Sequence, residues 1–558
     1  MSLVELIQVE LIPDFVGLVD VWVSLFGRSE SQSIAGICAQ FWKSDWHRGI
    51  VRRAIFDVAR SRFPVQIQPL ARLLRAMTAA GFLDTDELST TDYSNEGEGL
   101  TDERYICVRH VFYYLENLPT YTQVIPVSAC GGSHALYERV QERYNSANGH
   151  SGLVYHNLRP IKLPGGSILP VRSCGRLLSG DGGDHVVVSW QHQHSGWKLV
   201  LEVLTDYVNR RLLQSGSGTE LSFQKKGCTD HVTLRLEDVG VEMEEEGDEV
   251  MITDCLDLVR SLVQDNPEQA EQLMRSLESG EPVVAHTMTE TQPPDLVQLT
   301  IMILEEAMSR SDPRHRSPAR TQLITSAMSV LSALLALPHY SNRVWLFLRS
   351  TMALFSSEKT VGLASVALAT ERATGHYTMT LALLHLVQQL FREASSFYLP
   401  ANIRLQQLKE EVLLRAARFV HTEIWIEHLG WKYAQLGDRF EIGRRVAALY
   451  VSILEYSPPN VETRPFALLS QSVADAFLFK ASSSTLHPLV TAIASGRSIL
   501  RTLYATRRFG EARRLLFLLQ SCLRLTCMVL DLKLKSVVAS KHCLLEQALC
   551  TLDRKSVV

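Results

Sequence analysis

No two cysteines in this chain of 558 residues stand at the two-residue spacing of a metal knuckle or a redox motif. The ten cysteines are scattered, Cys522 and Cys527 being the nearest pair. That excludes a disulfide framework and points to reduced, buried thiols in the cytosol or nucleus. Also missing are GxxxxGK[ST], a GxGxxG opening a helix after a strand, GxSxG and HExxH. Nucleotide cradles, the serine-hydrolase elbow and zinc-protease chemistry therefore have no foothold, so no catalytic residue and no cofactor is expected. An excess of charge of one sign is missing too. A formal net charge of −4 and a pI near 6.5 give no electrostatic case for direct nucleic-acid binding, nor for anionic membranes. The start lacks the basic region and small-residue cleavage site of a signal peptide. Thr321 to Pro338 is uncharged and long enough to test as a membrane span, but Ser, Thr and Gln dilute it. It reads as a buried core helix, and no transmembrane segment is expected.

What is present is helical period. With 46% hydrophobic and 21% charged residues the composition is globular. Ile67, Leu70, Leu74 and Met77 fall on one helix face, as do Trp197, Val200, Leu201, Leu204 and Val208. Phe63-Pro64 marks a helix boundary. Glu103 to Leu118 resumes the helical spacing until Pro119 stops it. Asp84 to Glu103 and Glu242 to Glu249 read as acidic, solubilising loops. From Met251 to Thr551 helices recur at intervals of roughly 20 to 35 residues, broken by prolines and serines, without a fixed-length repeat. Such units share a core by stacking, so the fold class is mainly α: an irregular solenoid of the HEAT/ARM kind.

One stretch breaks that period. Ser173 to Leu178 and His185 to Trp190 are β-rich runs around Ser179-Gly180-Asp181-Gly182-Gly183-Asp184, a turn cluster, so they predict a hairpin. Leu163-Pro164-Gly165-Gly166 and Leu169-Pro170 punctuate the approach. Ser195-Gly196-Trp197 closes the β-segment and opens a helix. A second hairpin, Leu221 to Phe223 with Val232 to Leu236, is also suggested. The expected organisation is a helical segment over 1–125, a small β-insertion over 126–196, helices over 197–552, and an artefactual or disordered tail over 553–558.

Few side chains in this pattern invite chemistry. His185, His192 and His194 lie near Asp181, Asp184 and Cys174, but a zinc site wants further ligands and second-shell support, and surface strand histidines are the simpler reading. The basic doublets Arg52-Arg53, Arg444-Arg445, Arg507-Arg508 and Arg513-Arg514 read as solvated helix faces. Trp42, Trp46, Trp190, Trp197, Trp345, Trp425 and Trp431 read mostly as core, with an exposed minority able to anchor a partner helix.

Three groups of residues together resemble the large scaffold nucleoporins of the nuclear pore's inner ring, of the 188-kilodalton type. The first is Gln40 to Asp45, Arg62-Phe63-Pro64, Pro69 to Leu74 and Tyr114 to Thr122. The second is Leu163 to Gly166 leading to Gly175, Trp190, Ser195 and Trp197. The third is Ala373 to Thr378 with Trp431-Lys432-Tyr433 and Arg439 to Gly443. The resemblance implies a solenoid interrupted by an SH3-like barrel framed by Gly165, Gly175, Trp190, Ser195 and Trp197. It also implies residence at the nuclear pore and the nuclear envelope. Implied partners are other nucleoporins, through helices of linker nucleoporins and through Phe-Gly repeat segments. Family members are several times longer, so the chain reads as an internal fragment whose open helical ends would be aggregation-prone. The implied function is structural support of nucleocytoplasmic transport, including protein and mRNA transport, without catalysis. A soluble importin-β-like receptor for Phe-Gly repeats is the alternative. Few tyrosines on the strands argue against PxxP ligands for the barrel.

Overall fold

A computed structural model describes residues 14–26, 33–42, 50–78, 98–130, 135–141, 153–179, 184–214, 231–241, 245–264, 266–278, 295–309, 317–350, 354–355, 362–396, 403–456, 467–478 and 483–536. It is mostly helical, with a small antiparallel sheet, and divides into two compact units, Met1–Met302 and Ile303–Val558.

The first unit opens with α1 (Phe15–Phe26), α2 (Ser33–Phe41), α3 (Ile50–Ser61) and α4 (Ile67–Ala76). Along α4 and its C-cap the expected spacing buries Ile67, Leu70, Leu74 and Met77, each stabilising by roughly 1.5–3 kcal/mol. Its Pro69 sits in the first turn, where a missing N–H costs nothing. Next comes α5, which spans Glu98–Glu116. The helix expected to reach Leu118 therefore stops two residues short, and the part of the expected acidic loop from Glu98 onward is helical. Pro119 forbids helix, and Leu118 instead begins β1 (Leu118–Pro126).

The sheet continues with β2 (Tyr137–Gln141), β3 (Leu153–Asn157), β6 (Cys174–Ser179) and β7 (His185–His194), in the order β1-β7-β6-β3-β2 with every pair antiparallel. Its first strand thus precedes the expected boundary at residue 126. The expected hairpin is β6 with β7, and its turn residues 180–183 lie outside the described residues. Between β3 and β6, β4 (Ile161–Lys162) pairs with β5 (Ile168–Leu169). The second hairpin is corrected. Leu221 to Phe223 lies outside the described residues, and β8 (Val232–Thr233) runs parallel to β4. Leu236 is no strand residue; it begins the short helix α7 (Leu236–Val239).

α6 (Gly196–Gln214) follows the sheet, and α8 (Glu245–Val263), α9 (Pro267–Glu278) and α10 (Leu296–Ser309) come later. The second acidic run is also corrected: from Glu245 it is helix, and Asp248 and Glu249 are buried. Arg210 of α6 meets Asp248 at 3.1 Å, which offsets the cost of burying that carboxylate.

The second unit contains α11 (Pro318–Leu334), α12 (Pro338–Ser350), α13 (Leu363–Thr374), α14 (Thr378–Ser396), α15 (Ile403–Phe419), α16 (Leu436–Glu455), α17 (Ala467–Leu478), α18 (Ser483–Ala505) and α19 (Phe509–Ser536). A π-helical turn, Val420–Trp425, extends α15. The uncharged stretch from Thr321 lies in α11 as far as Leu334, and α11 is buried against α14; its end, Pro338, opens α12. Pro267 and Pro338 each occupy the first helical position, so the breaks expected at these two prolines are helix starts.

Candidate functional site

Many of the residues singled out by sequence gather into two packed centres, one around the sheet and one in the second unit, while Trp42 packs among the first helices, donating to Met77 O at 3.2 Å. In the sheet, Trp190 of β7 is fully buried and its indole Nε1 donates to Gln123 Oε1 at 3.1 Å. Gln123 Nε2 in turn donates to the Tyr137 hydroxyl at 2.8 Å, and the Tyr137 and Trp190 rings lie 5.8 Å apart. Burial pushes the Tyr137 hydroxyl up to about 12, so it stays neutral. Directly across the ladder from Trp190 stands Gly175. A Cβ there would lie 2.5 Å from Val188 Cγ1 and 2.8 Å from Trp190 Cε3, so the indole occupies the space a side chain would need.

The other three residues fix the sheet to helices. Gly165 has φ +85° in the turn between β4 and β5, and its N–H donates to the Glu202 carboxylate of α6. A Cβ on it would meet Leu199 N at 3.3 Å. Ser195 Oγ donates to Glu116 Oε2 at 2.7 Å, and Ser276 Oγ of α9 donates to the same oxygen at 2.9 Å. One carboxylate at the end of α5 therefore ties the starts of α6 and the body of α9 together. Trp197 is fully buried, donates from Nε1 to Phe112 O at 3.1 Å and stacks on the Phe112 ring at 18°. The strand tyrosines Tyr121, Tyr137 and Tyr155 are all buried.

The histidines do not converge. His185 begins β7 and is exposed, whereas His194 ends it nine residues away, roughly 30 Å along an extended strand. His194 is buried, with its ring 4.9 Å from that of Tyr121, and burial drops it to about 4, leaving it neutral. Among the described residues no group of three His, Cys, Asp or Glu side chains is placed to hold a metal.

In the second unit the separated motifs Ala373 to Thr378 and Trp431-Lys432-Tyr433 pack on one another. Gly375 closes α13 at φ +83°, and its carbonyl accepts from Ala434 N at 2.9 Å. A Cβ on Gly375 would meet Ala434 N at 3.1 Å. The Tyr377 ring stacks on Trp431 at 5.0 Å, and its hydroxyl donates to Lys432 O at 2.8 Å. Arg372 lies over the Trp431 ring at 4.8 Å and donates to Glu423 O at 2.6 Å. Glu371, buried, accepts from Met379 N at 2.7 Å and Thr380 N at 2.9 Å, so it caps the positive end of α14.

Two features escaped the sequence reading. Lys409 of α15 and Glu393 of α14 form a buried ion pair at 2.8 Å, and Trp345 Nε1 of α12 donates to the same carboxylate at 2.7 Å. The doublet Arg444-Arg445 is no solvated face. Arg445 is buried, pairs with Glu441 Oε1 at 2.7 Å and donates to Leu381 O at 3.1 Å. Hydrogen bonds from both arginines outweigh burial and hold the Glu441 carboxyl down at about 2. A recess lined by Trp425, His428, Phe440 and Cys522 leaves about 30 Å³, the room of one or two waters rather than of a substrate.

A family model described as nucleoporin Nup188, N-terminal subdomain III, matches residues 231–555. The match begins after the five-stranded sheet and runs into the expected tail. The nucleoporin nup184 of Schizosaccharomyces pombe is 31% identical over 160 residues, which is 26% of this chain and 10% of that protein. The match therefore spans about a tenth of that relative's length.

Proposed function

This chain belongs to the Nup188 family of nucleoporins, and from that premise we propose that it is a structural scaffold segment of the pore's inner ring. Its place is the nuclear pore complex at the nuclear envelope. Its helices stack as an irregular solenoid, and the five-stranded sheet is an SH3-like barrel set into it. Gly165, Gly175, Trp190, Ser195 and Trp197 hold that insertion in shape and seat it on α5 and α6. The solenoid grips short helices of linker nucleoporins, and no bond is made or broken in a substrate.

The family match over residues 231–555 carries this reading. The character of the second unit's centre supports it. Buried charges and rings there are spent on helix ends and helix contacts, as at Glu371, Tyr377 and Lys409. A scaffold and a mobile receptor differ in residence. Photobleaching of the fluorescently tagged chain at the nuclear rim should show slow exchange, and mild cross-linking should retrieve linker nucleoporins. Recovery within seconds, with cargo rather than nucleoporins retrieved, would overturn the scaffold reading in favour of a transport receptor.

A further inference from the structure

Residues 483 to 536 carry seven arginines and two lysines against only Glu511 and Asp531, in a chain whose net charge is −4. The excess gathers at the turn between α18 and α19. Arg497, Arg501 and Tyr504 stand at i, i+4 and i+7 of α18, one face. Phe509 and Leu516 stand seven apart on α19, again one face. All five are exposed, Tyr504 at 52% and Phe509 at 58%. The two rings meet edge to face at 5.8 Å across the turn, where Arg507 takes φ 58°. Among the described residues Arg497, Arg501 and Arg507 make no ion pair. The opposite face of α19 buries Ala512, Leu515, Cys522, Leu525 and Val529, so the hairpin folds without help from these exposed groups.

We infer that this turn docks on the surface of an anionic bilayer. The arginines meet lipid phosphates, and the two rings with Leu516 settle at the headgroup boundary, as in interfacial anchors. The chain's overall charge argues the other way, but charges farther off than a Debye length of about 8 Å are screened, so the local excess decides. α19 is apolar enough over Phe509–Leu532 to cross a membrane by length and composition alone. It packs one side on α16 and leaves most of that stretch uncovered, so it lies along the bilayer surface rather than through it. An acidic peptide is the rival occupant. Peptide recognition wants a groove that reads side chains, and the recess beside α18 and α19 is lined by none of these six residues. Projecting rings among unpaired cations suit a continuous lipid surface instead. This inference goes beyond the scaffold reading and stands or falls separately from it.

The test is flotation of the full chain with vesicles of phosphatidylcholine alone and of phosphatidylcholine with phosphatidylserine. Binding is expected only with phosphatidylserine and should weaken as salt rises. Arg501→Glu with Arg507→Glu should lower it by about tenfold or more. Tyr504→Ser with Phe509→Ser should also lower it while leaving the salt dependence. Circular dichroism checks the fold of each variant, and Arg501→Gln with Arg507→Gln replaces the charge reversal if that variant misfolds. Equal binding to both vesicles, undiminished binding of the arginine variants, or capture by soluble polyglutamate without vesicle binding would overturn the proposal.

Discussion

The sheet and the second unit's helices solve the same problem with different chemistry. Around Trp190 everything buried and polar is neutral: an indole, an amide and a phenol passing hydrogen bonds in series. The helices of the second unit add buried ionic groups, as in Lys409 with Glu393 and Arg445 with Glu441. A neutral chain loses about one hydrogen bond when broken, whereas a broken ion pair strands a charge in a medium that cannot solvate it. The two regions should therefore fail differently.

The largest effect is expected at the ion pair. Lys409→Met leaves Glu393 buried without its cation and should destabilise the second unit by about 3–5 kcal/mol in denaturant unfolding followed by tryptophan fluorescence. Adding Glu393→Gln, which can still accept from Trp345, should restore most of that. A loss below about 1 kcal/mol in the single variant would erase the contrast. Gly175→Ala comes next. It tests the sheet by overfilling the space beside Trp190, and should cost about 1–3 kcal/mol through displaced packing.

Acid sharpens the comparison further. His194 and His428 are both held near 4 by burial, below the unfolded value of 6.5. Each contributes stability that is complete above pH 6.5 and lost as pH falls toward 4. In the first unit Asp254 opposes this. Burial raises it to about 6, so its protonation favours folding as pH drops from 6 to 4. In the second unit Glu441, held at about 2, adds a loss below pH 4.5 instead. Hydrogen exchange between pH 6.5 and 4 should show protection falling sooner in the second unit, and equal loss would contradict the assignment. The smallest effect is at the surface. Arg53→Ala breaks an exposed i,i+4 pair with Asp57 and should change stability by no more than about 0.5 kcal/mol.

Legibility in the sequence follows the same divide. Gly165-Gly166, the β6–β7 pairing and the switch at Ser195-Gly196-Trp197 are local signals, because turn residues and strand period act within a few positions. The helices of the second half were legible from proline breaks and apolar spacing. What was hidden depends on partners far along the chain. Lys409 sits in Gln406-Gln407-Leu408-Lys409-Glu410-Glu411, a run that reads as a solvated face, and its partner lies 16 residues away on another helix. Arg444-Arg445 has its carboxylate partner Glu441 within one helical turn, and the hidden contact is that of Arg445 with Leu381 O, 64 residues back. The apolar spacing of Leu118 fits either period, and Pro119 ends a helix without signalling that a strand begins. Val232-Thr233 paired with Ile161-Lys162 some 70 residues back, a choice no window on the sequence can reveal.

Many of the bonds at these centres end on main-chain oxygen. Trp197 donates to Phe112 O, Trp425 to Thr485 O, Tyr377 to Lys432 O, Tyr433 to His428 O, Arg372 to Glu423 O and Arg445 to Leu381 O. Every amino acid supplies that acceptor alike. Only the donor in each such contact is chemically specified, and the receiving position is free to drift in identity so long as its backbone keeps its course. Divergent sequences can thus retain one architecture with half of each clasp left unwritten in the side chains.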